Sequence, residues 1–525
     1  MAKPTTGKPA VLPVNHVKTQ LEPPAQKEIV DQEPVAPIPS QFPPTAEDVV
    51  RLANYQYFEQ LSKGNHFEAF NIKIRDIRFN QAYEKLRYIK ANFPGLISKI
   101  MADMLFSEPV KIKVKNNQEF VDAFVRVNQL NMILYESELT NSSLGDAVFK
   151  LRLAPLNPED PADQSTVIVE EISPKVYFPV VDPFNVKGKP VKQIFAWKFK
   201  IGDKEYVRQE IHTFGKIENK LYAMKGDEII GEEDLNILGL DLKPVQTTNV
   251  KGTLVFHVPN FRNGNVHFGE SDYTDVDGLF FAINNRITMI DNILDKHSDP
   301  ILMVPPGVID KKGNVNKKAL GVIEYEEGST GEPKYIVWDA SLENAFKYLD
   351  KIIEIMFMIT ETSPDILGMG QGQAESGRAL KLKLLRTIAK AQRKRIYYDA
   401  KLKDLVYKAQ EFAVNNNATC DGVKSQKPEV PTLEWRDGLP NDDIEQAEIE
   451  QIRIDSGTTS KKDSIMRLDS VDEKTAEEKL KEINEETKIA LPLMNPNTNF
   501  NPGEPGKMDD EKPNGEKKPM MKSVQ

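Results

Sequence analysis

At 525 residues the chain is too long for one core, so about two to four domains are expected. Its 39% hydrophobic and 28% charged residues are ordinary for a soluble protein, and a net charge of −10 argues against tight, static nucleic-acid binding over the whole surface. No run of eighteen apolar residues, one cysteine (Cys420) and six scattered histidines exclude a transmembrane helix, an internal disulfide framework and a histidine zinc site.

Residues 1–45 hold ten prolines and few aromatics. Such a segment buries too little apolar surface to offset its ordering entropy, so it is expected to be disordered, and no apolar secretory segment opens it. Ala46 to Lys63 has helical spacing, and Tyr83 to Phe106 reads as a helix interrupted by Pro94. Val110 to Val114 reads as a strand and Asn117 to Leu139 as a helix. Short strand-like runs follow between Ala147 and Val258, several alternating apolar and polar with Gly, Pro or Asp between them. This middle region is expected to be α+β with antiparallel hairpins.

From Ser271 the pattern turns helical, with Leu279, Ile283, Ile287, Ile290 and Leu294 on one face. Ser271 is the expected N-cap, and Asp272, Asp275 and Asp277 suit the positive end of the helix dipole. A small insert follows over 301–338. A second helix pattern starts near Ser341 (Leu342, Phe346, Leu349, Ile353, Met356, Ile359) and ends at Ser363-Pro364. Two long helices thus bracket a β-rich module.

The most distinctive stretch comes next. A glycine-rich loop, Gly368-Met369-Gly370-Gln371-Gly372-Gln373, precedes a long helix pattern from about Ser376 to Asn416. From Arg378 to Lys408 that helix carries eleven Lys/Arg against two acids, Asp399 and Asp404, a local net of +9. Gly372 to Ala379 has G-x-x-x-x-G spacing, but Arg378 and Ala379 stand where a phosphate-binding loop needs Lys and a hydroxyl. The glycines are therefore read as backbone freedom, and Ser376 as a helix cap. Arg386, Lys390, Arg393, Lys394 and Arg395 form the concentrated positive feature. They have three readings: a solvated face paired with nearby acids, phosphate contacts, or contacts between subunits. No residue pattern points to a catalytic group, a metal or a cofactor. After the helix, Thr432 to Trp435 reads as a strand, 440–490 as charged helices and 491–525 as a solvated tail.

Several motifs together resemble the portal proteins of tailed double-stranded DNA bacteriophages, of the kind found in SPP1-group siphophages. They are Tyr88-Ile-Lys-Ala-Asn-Phe-Pro-Gly-Leu-Ile97 with Leu105-Phe-Ser-Glu-Pro109; Gly145-Asp-Ala-Val-Phe-Lys150; Pro259-Asn260 with Gly269-Glu-Ser-Asp272; Ser363-Pro-Asp365 with Ser376-Gly-Arg-Ala-Leu-Lys381; and Glu434-Trp-Arg-Asp-Gly-Leu-Pro440 with Asp442-Asp443. The Ser-Gly-x-Ala-Leu-Lys helix start is the most specific.

The resemblance implies an α+β, mainly helical portal fold. It assigns 46–270 to an α+β wing, 271–298 and 341–362 to a two-helix stem, and 299–340 to a small α/β clip. It assigns 363–376 to a tunnel loop, 377–439 to a long tunnel helix with a wing strand, and 440–490 to a helical crown. It also implies a homo-oligomeric ring, usually of twelve, at one capsid vertex. The implied partners are double-stranded DNA bound without sequence preference, the terminase large subunit, a head–tail adaptor, the major capsid protein and scaffold. The implied location is the virion, after assembly in the host cytoplasm, with no membrane contact and no enzymatic activity of the chain's own. The alternative from another class is a non-viral nucleic-acid-binding helical scaffold using the 378–408 helix.

Overall fold

The computed structural model describes residues 41–490, except 72–75, 80–81, 86–87, 156–164, 241, 299–300, 304–333, 337–341, 369–376, 436–442, 470 and 472. The chain divides into two compact units, residues 1–373 with 382–438, and residues 374–381 with 439–525.

The larger unit opens earlier than the prolines suggested. Gln41 bridges Glu228, and Phe42 is buried edge-on against Phe178 at 5.2 Å between ring centroids. The expected disordered extension 1–45 is thus corrected at 41–45, because one large aromatic finds an apolar slot on a sheet. Residues 1–40 lie outside the described residues. Thr45 caps helix α1 (Ala46–Ser62) by accepting from the Asp48 N–H at 3.1 Å. A short helix α2 (His66–Ala69) and a hairpin β1 (Asp76–Phe79), β2 (Ala82–Lys85) follow.

The region 83–106 is not one interrupted helix. Helix α3 spans Phe93–Phe106, capped by Asn92, with Pro94 in its first turn. Proline lacks the N–H that an interior helical position needs, but a first turn leaves that donor unused. Strand β3 (Lys111–Lys113) follows. The run read as one helix from Asn117 is likewise two, α4 (Gln118–Val127) and α5 (Leu130–Leu144), broken where Gln129 adopts φ 48°.

The antiparallel expectation for the middle region holds. Strands β4 (Asp146–Ala154) and β5 (Thr166–Ile172) pair with β12 (Val255–Pro259), β15 (Thr419–Cys420) and β16 (Val423–Lys424) in the order β12-β4-β5-β15-β16; β5–β15 is parallel. The second sheet runs β10 (Glu228–Glu233), β9 (Lys216–Lys225), β8 (Lys204–Thr213), β7 (Lys192–Ile201), β6 (Tyr177–Val180), with β11 (Val245–Thr247) also on β9. Gly202 and Gly226 turn two of its hairpins at φ 58° and 66°, where L residues are strained. Val207, Tyr222, Met224 and Phe178 fill one face.

The first long helix begins later than expected. Helix α6 spans Asp277–Ser298, and Ser271 instead closes a turn, its Oγ accepting from the Tyr273 N–H and donating to the Ser143 carbonyl. Strands β13 (Ile301–Met303) and β14 (Lys334–Ile336) pair in the insert, whose remainder lies outside the described residues. Helix α7 (Leu342–Ile359) joins α6 in a core built on Val276, Phe280, Ile283, Ile352, Met356 and Phe357, with Leu61 and Ile97 beneath. The basic stretch is α8 (Gly377–Lys383) and α9 (Leu385–Asn415), separated at Leu384. At 1.5 Å per residue α9 is about 46 Å long. Strand β17 (Thr432–Glu434) then pairs with β3, far back in the chain.

In the smaller unit, α10 (Asp443–Asp455), α11 (Lys461–Leu468) and α12 (Glu473–Ala490) succeed one another. Glu450, 7% exposed, receives two N–H bonds from Arg467 at 2.8 and 3.0 Å and one from Arg453 at 3.2 Å. That bidentate geometry fixes α10 to α11.

Candidate functional site at the loop and basic helix

Of the six loop residues predicted from sequence, Gly368 is described; Met369, Gly370, Gln371, Gly372 and Gln373 lie outside the described residues. Gly368 is exposed with φ 69° and closes the turn Pro364–Leu367. A Cβ there would meet nothing within 4 Å, so backbone conformation, not space, calls for glycine.

The base of the loop is pinned from α9. After α7 the chain makes a Schellman turn: the Thr362 N–H donates to the Phe357 carbonyl at 3.0 Å and the Glu361 N–H to that of Met358 at 3.2 Å. The left-handed residue of that turn is Glu361, φ 53°, where glycine is the usual choice. Two α9 residues hold it there. The Thr387 hydroxyl donates to the Glu361 carbonyl at 3.1 Å, and Arg393 Nη2 to Glu361 Oε1 at 2.7 Å. Thr387 Oγ1 also accepts from the Ser363 N–H at 2.8 Å, and Lys383 lies 3.3 Å from Asp365.

Deeper, α9 carries two lysines into the protein. Lys394, 3% exposed, donates to Glu138 Oε1 at 2.6 Å and to Asp272 Oδ2 at 2.7 Å. Lys390, 7% exposed, lies 3.1 Å from Asp272 Oδ1 and donates to the Thr360 carbonyl at 2.9 Å. Ser142 and Asn260 also donate to Asp272. Burial works against every ion here. The two lysines nevertheless hold the Asp272 carboxyl far below its ordinary range, and Asp272 with Glu138 holds Lys394 above its own. Burial dominates at Lys390, which is lowered. Two cations meet two carboxylates, so the cluster is electrically closed. It ties α5, the turn before α6, the end of α7 and α9 to one point.

This arrangement corrects two expectations. Asp272 does not serve the dipole of α6; it is the hub of the buried cluster. Lys390 and Lys394 are not available to phosphate or to a neighbouring subunit, because low-dielectric burial without partners would be far more costly than internal pairing. Arg395 donates to the Met104 carbonyl at 3.0 Å and lies over the Trp435 ring at 5.8 Å. Of the five candidate cations, Arg386 alone is exposed, and Arg393 and Arg395 are half-buried. The face pattern Lys390/Lys394, one turn apart, was a readable sign of a shared partner. The partners themselves, Glu138 and Asp272, carried no signal.

A second junction explains two of the motifs. A Cβ on Gly269 would stand 2.2 Å from the Gly145 carbonyl oxygen, and one on Gly145 would stand 2.7 Å from that of Gly269. The two backbones touch, with φ 96° at Gly145, and the Asn260 N–H donates to the Gly145 carbonyl at 2.8 Å. Beside them, buried Asp146 accepts from the Tyr55 hydroxyl at 2.6 Å and from the Gly269 N–H at 2.9 Å, and shares a hydrogen bond with His257 Nε2 at 2.6 Å. Burial still pushes the Asp146 carboxyl up to about 7, and His257 well down.

A protein-family model described as "Phage portal protein, SPP1 Gp6-like" matches residues 190–490, which include both long helices, the loop and α9. No curated protein matches the chain. Among solved structures, the chain is similar to one from the virion of a native gene transfer agent particle, at 12% identity over 71% of this chain and 89% of that one, TM-score 0.37. It is similar to another from the neck of the native particle, computed with C12 symmetry, at 12% identity with the same coverage and TM-score 0.36. A third is from the neck of the empty particle, computed with C6 symmetry, at 11% identity, again over 71% and 89%, TM-score 0.37.

Proposed function

This chain belongs to the SPP1 Gp6-like phage portal protein family, and from that premise we propose that its copies close into a ring of about twelve at one capsid vertex, through which double-stranded DNA enters and leaves. The observation that carries the reading is the span of the family match, which takes in the α6–insert–α7 unit, the loop and the basic helix. In this reading 363–376 is the tunnel loop, and Gly368 to Gln373 touch passing duplex. Copies of a chain at −10 make a strongly negative ring, which repels phosphate and lets DNA slide. Base-specific contacts would impede transport, since any sequence must pass.

The insert 299–340 is the docking point for the terminase large subunit and then for a head–tail adaptor. The major capsid protein and scaffold surround the wing, in a particle assembled in the host cytoplasm. The chain hydrolyses nothing itself; the motor subunit supplies that chemistry. Arg386, Arg393 and Arg395 are left as candidates for phosphate or inter-subunit contact. The non-viral scaffold reading loses support because two central cations of that helix, Lys390 and Lys394, are spent inside the subunit.

Native mass spectrometry of the purified chain tests the reading. Closed rings of one dominant copy number are expected, whereas a monomer or dimer under all assembly conditions overturns it. Deleting Gly368 to Gln373 is expected to leave rings intact and impair DNA packaging or retention.

A further inference from the structure

One cavity of the larger unit is unrelated to the loop. It encloses about 470 Å³ between the segment before β7, the approach to β12, the segment after β12, and α9. Lys187 and Lys189, Lys251, Arg262, and Lys401 and Lys408 line it; among its described lining residues the one carboxylate is Asp404. Lys408 is already bonded to Glu411 and the Lys251 carbonyl. The side chains of Lys187, Lys189, Arg262 and Lys401 make no hydrogen bond or ion pair among the described residues, although Arg262 and Lys401 are half-buried. Arg262 Nε is buried and unpartnered.

The cavity's inner wall is built. His257 and His267 stack at 4.8 Å and are 5% and 6% exposed. His267 Nδ1 donates to the Val186 carbonyl at 3.3 Å, and its Nε2 is buried without a partner. Lys401 is lowered by burial and by repulsion from Lys189 and Arg262, with Asp404 opposing. Cations from four segments therefore converge in a protein whose net charge is −10. Lys187, Lys189 and Lys251 are exposed and screened by water, but the half-buried Arg262 and Lys401 beside them favour a negative group in the cavity.

We propose that this cavity is a binding site for a phosphate-type oxyanion, held by Arg262 and Lys401 with Lys187, Lys189 and Lys251 closing over it. A tetrahedral oxyanion accepts hydrogen bonds from all sides, as donors on four segments require, whereas a carboxylate offers two oxygens in one plane. The chemistry is common to free phosphate and to a nucleic-acid backbone. The proposal does not rest on the ring reading.

The test is calorimetry on the full chain in low-chloride buffer, with pyrophosphate and a short DNA duplex as separate probes. Arg262→Gln/Lys401→Gln is expected to weaken binding at least about tenfold, and Lys216→Gln, on an exposed strand position elsewhere, to leave it unchanged. Pyrophosphate binding lost in the double variant supports the site with free phosphate as its source. Duplex binding alone, lost in the same way, supports it with the DNA backbone as source. No binding of either probe, or binding undiminished in the double variant, overturns the proposal. Because Arg262 adjoins the Asp146 cluster, Lys401→Gln alone is the second variant, and full-strength binding by it counts equally against the site.

Discussion

Lys394 on the long basic helix reaches Asp272, in the turn that leads into the first long helix, at 2.7 Å, although 122 positions separate them. The bond makes the most basic part of the chain an internal brace. It also links the element behind the loop to the start of the α6–α7 pair, so displacement of one is resisted by the other.

The brace predicts a non-additive mutational pattern. Lys394→Met leaves Glu138 buried without its cation and is expected to cost about 3–5 kcal/mol. Adding Glu138→Leu, which leaves the Lys390–Asp272 pair, is expected to recover more than half of that. Urea midpoints of the two variants check this, and additive losses contradict it.

Glu361 occupies a backbone conformation better suited to glycine, held there by Thr387 and Arg393. Glu361→Gly relieves about 1 kcal/mol of strain while losing a half-exposed ion pair of similar worth, so stability is expected to change little. Glu361→Val keeps the strain, worsens it by β-branching and loses the pair. The two variants are expected to differ by about 2 kcal/mol in thermal denaturation.

Gly269→Ala puts a methyl 2.2 Å from the Gly145 carbonyl oxygen, a backbone atom that cannot swing aside. A loss of about 3 kcal/mol or more, or failure to fold, is expected. Gly231→Ala, where a Cβ meets nothing within 4 Å, is the control and is expected to be near neutral.

Asp146 gives a pH signature. Its folded carboxyl titrates at about 7, raised by burial despite bonds from Tyr55 and Gly269, while an unfolded aspartate titrates near 3.9. Between about pH 4 and 7 the folded chain keeps a proton that the unfolded chain has released. This contribution to stability is therefore full below about pH 4 and is lost as the pH rises through 7. Asp146→Asn is expected to flatten that component of melting temperature against pH, and an unchanged slope from pH 4 to 8 would contradict the assignment.

Phe42 lies in the segment read from composition as unstructured. Phe42→Ala is expected to cost about 3 kcal/mol, because a buried ring is removed from a sheet face. Truncation of residues 1–40, by contrast, is expected to leave the melting temperature within a degree or two.

What was legible in the sequence was local. Hairpins β7 to β9 follow from alternation and glycine turns, and helices α6, α7 and α9 from 3.6-residue periodicity, since a helix or hairpin is encoded by neighbours within a few residues. The glycine loop and the family motifs were legible for the same reason. The tertiary structure alone decided what depends on distant partners. Pro94 became a helix start because Asn92 caps it, and Gly145 and Gly269 proved to be one contact rather than two motifs. Lys390 and Lys394 dropped out of the candidate polyanion surface because burial demands pairing, and for Lys394 the partners Glu138 and Asp272, 256 and 122 residues away, supplied it.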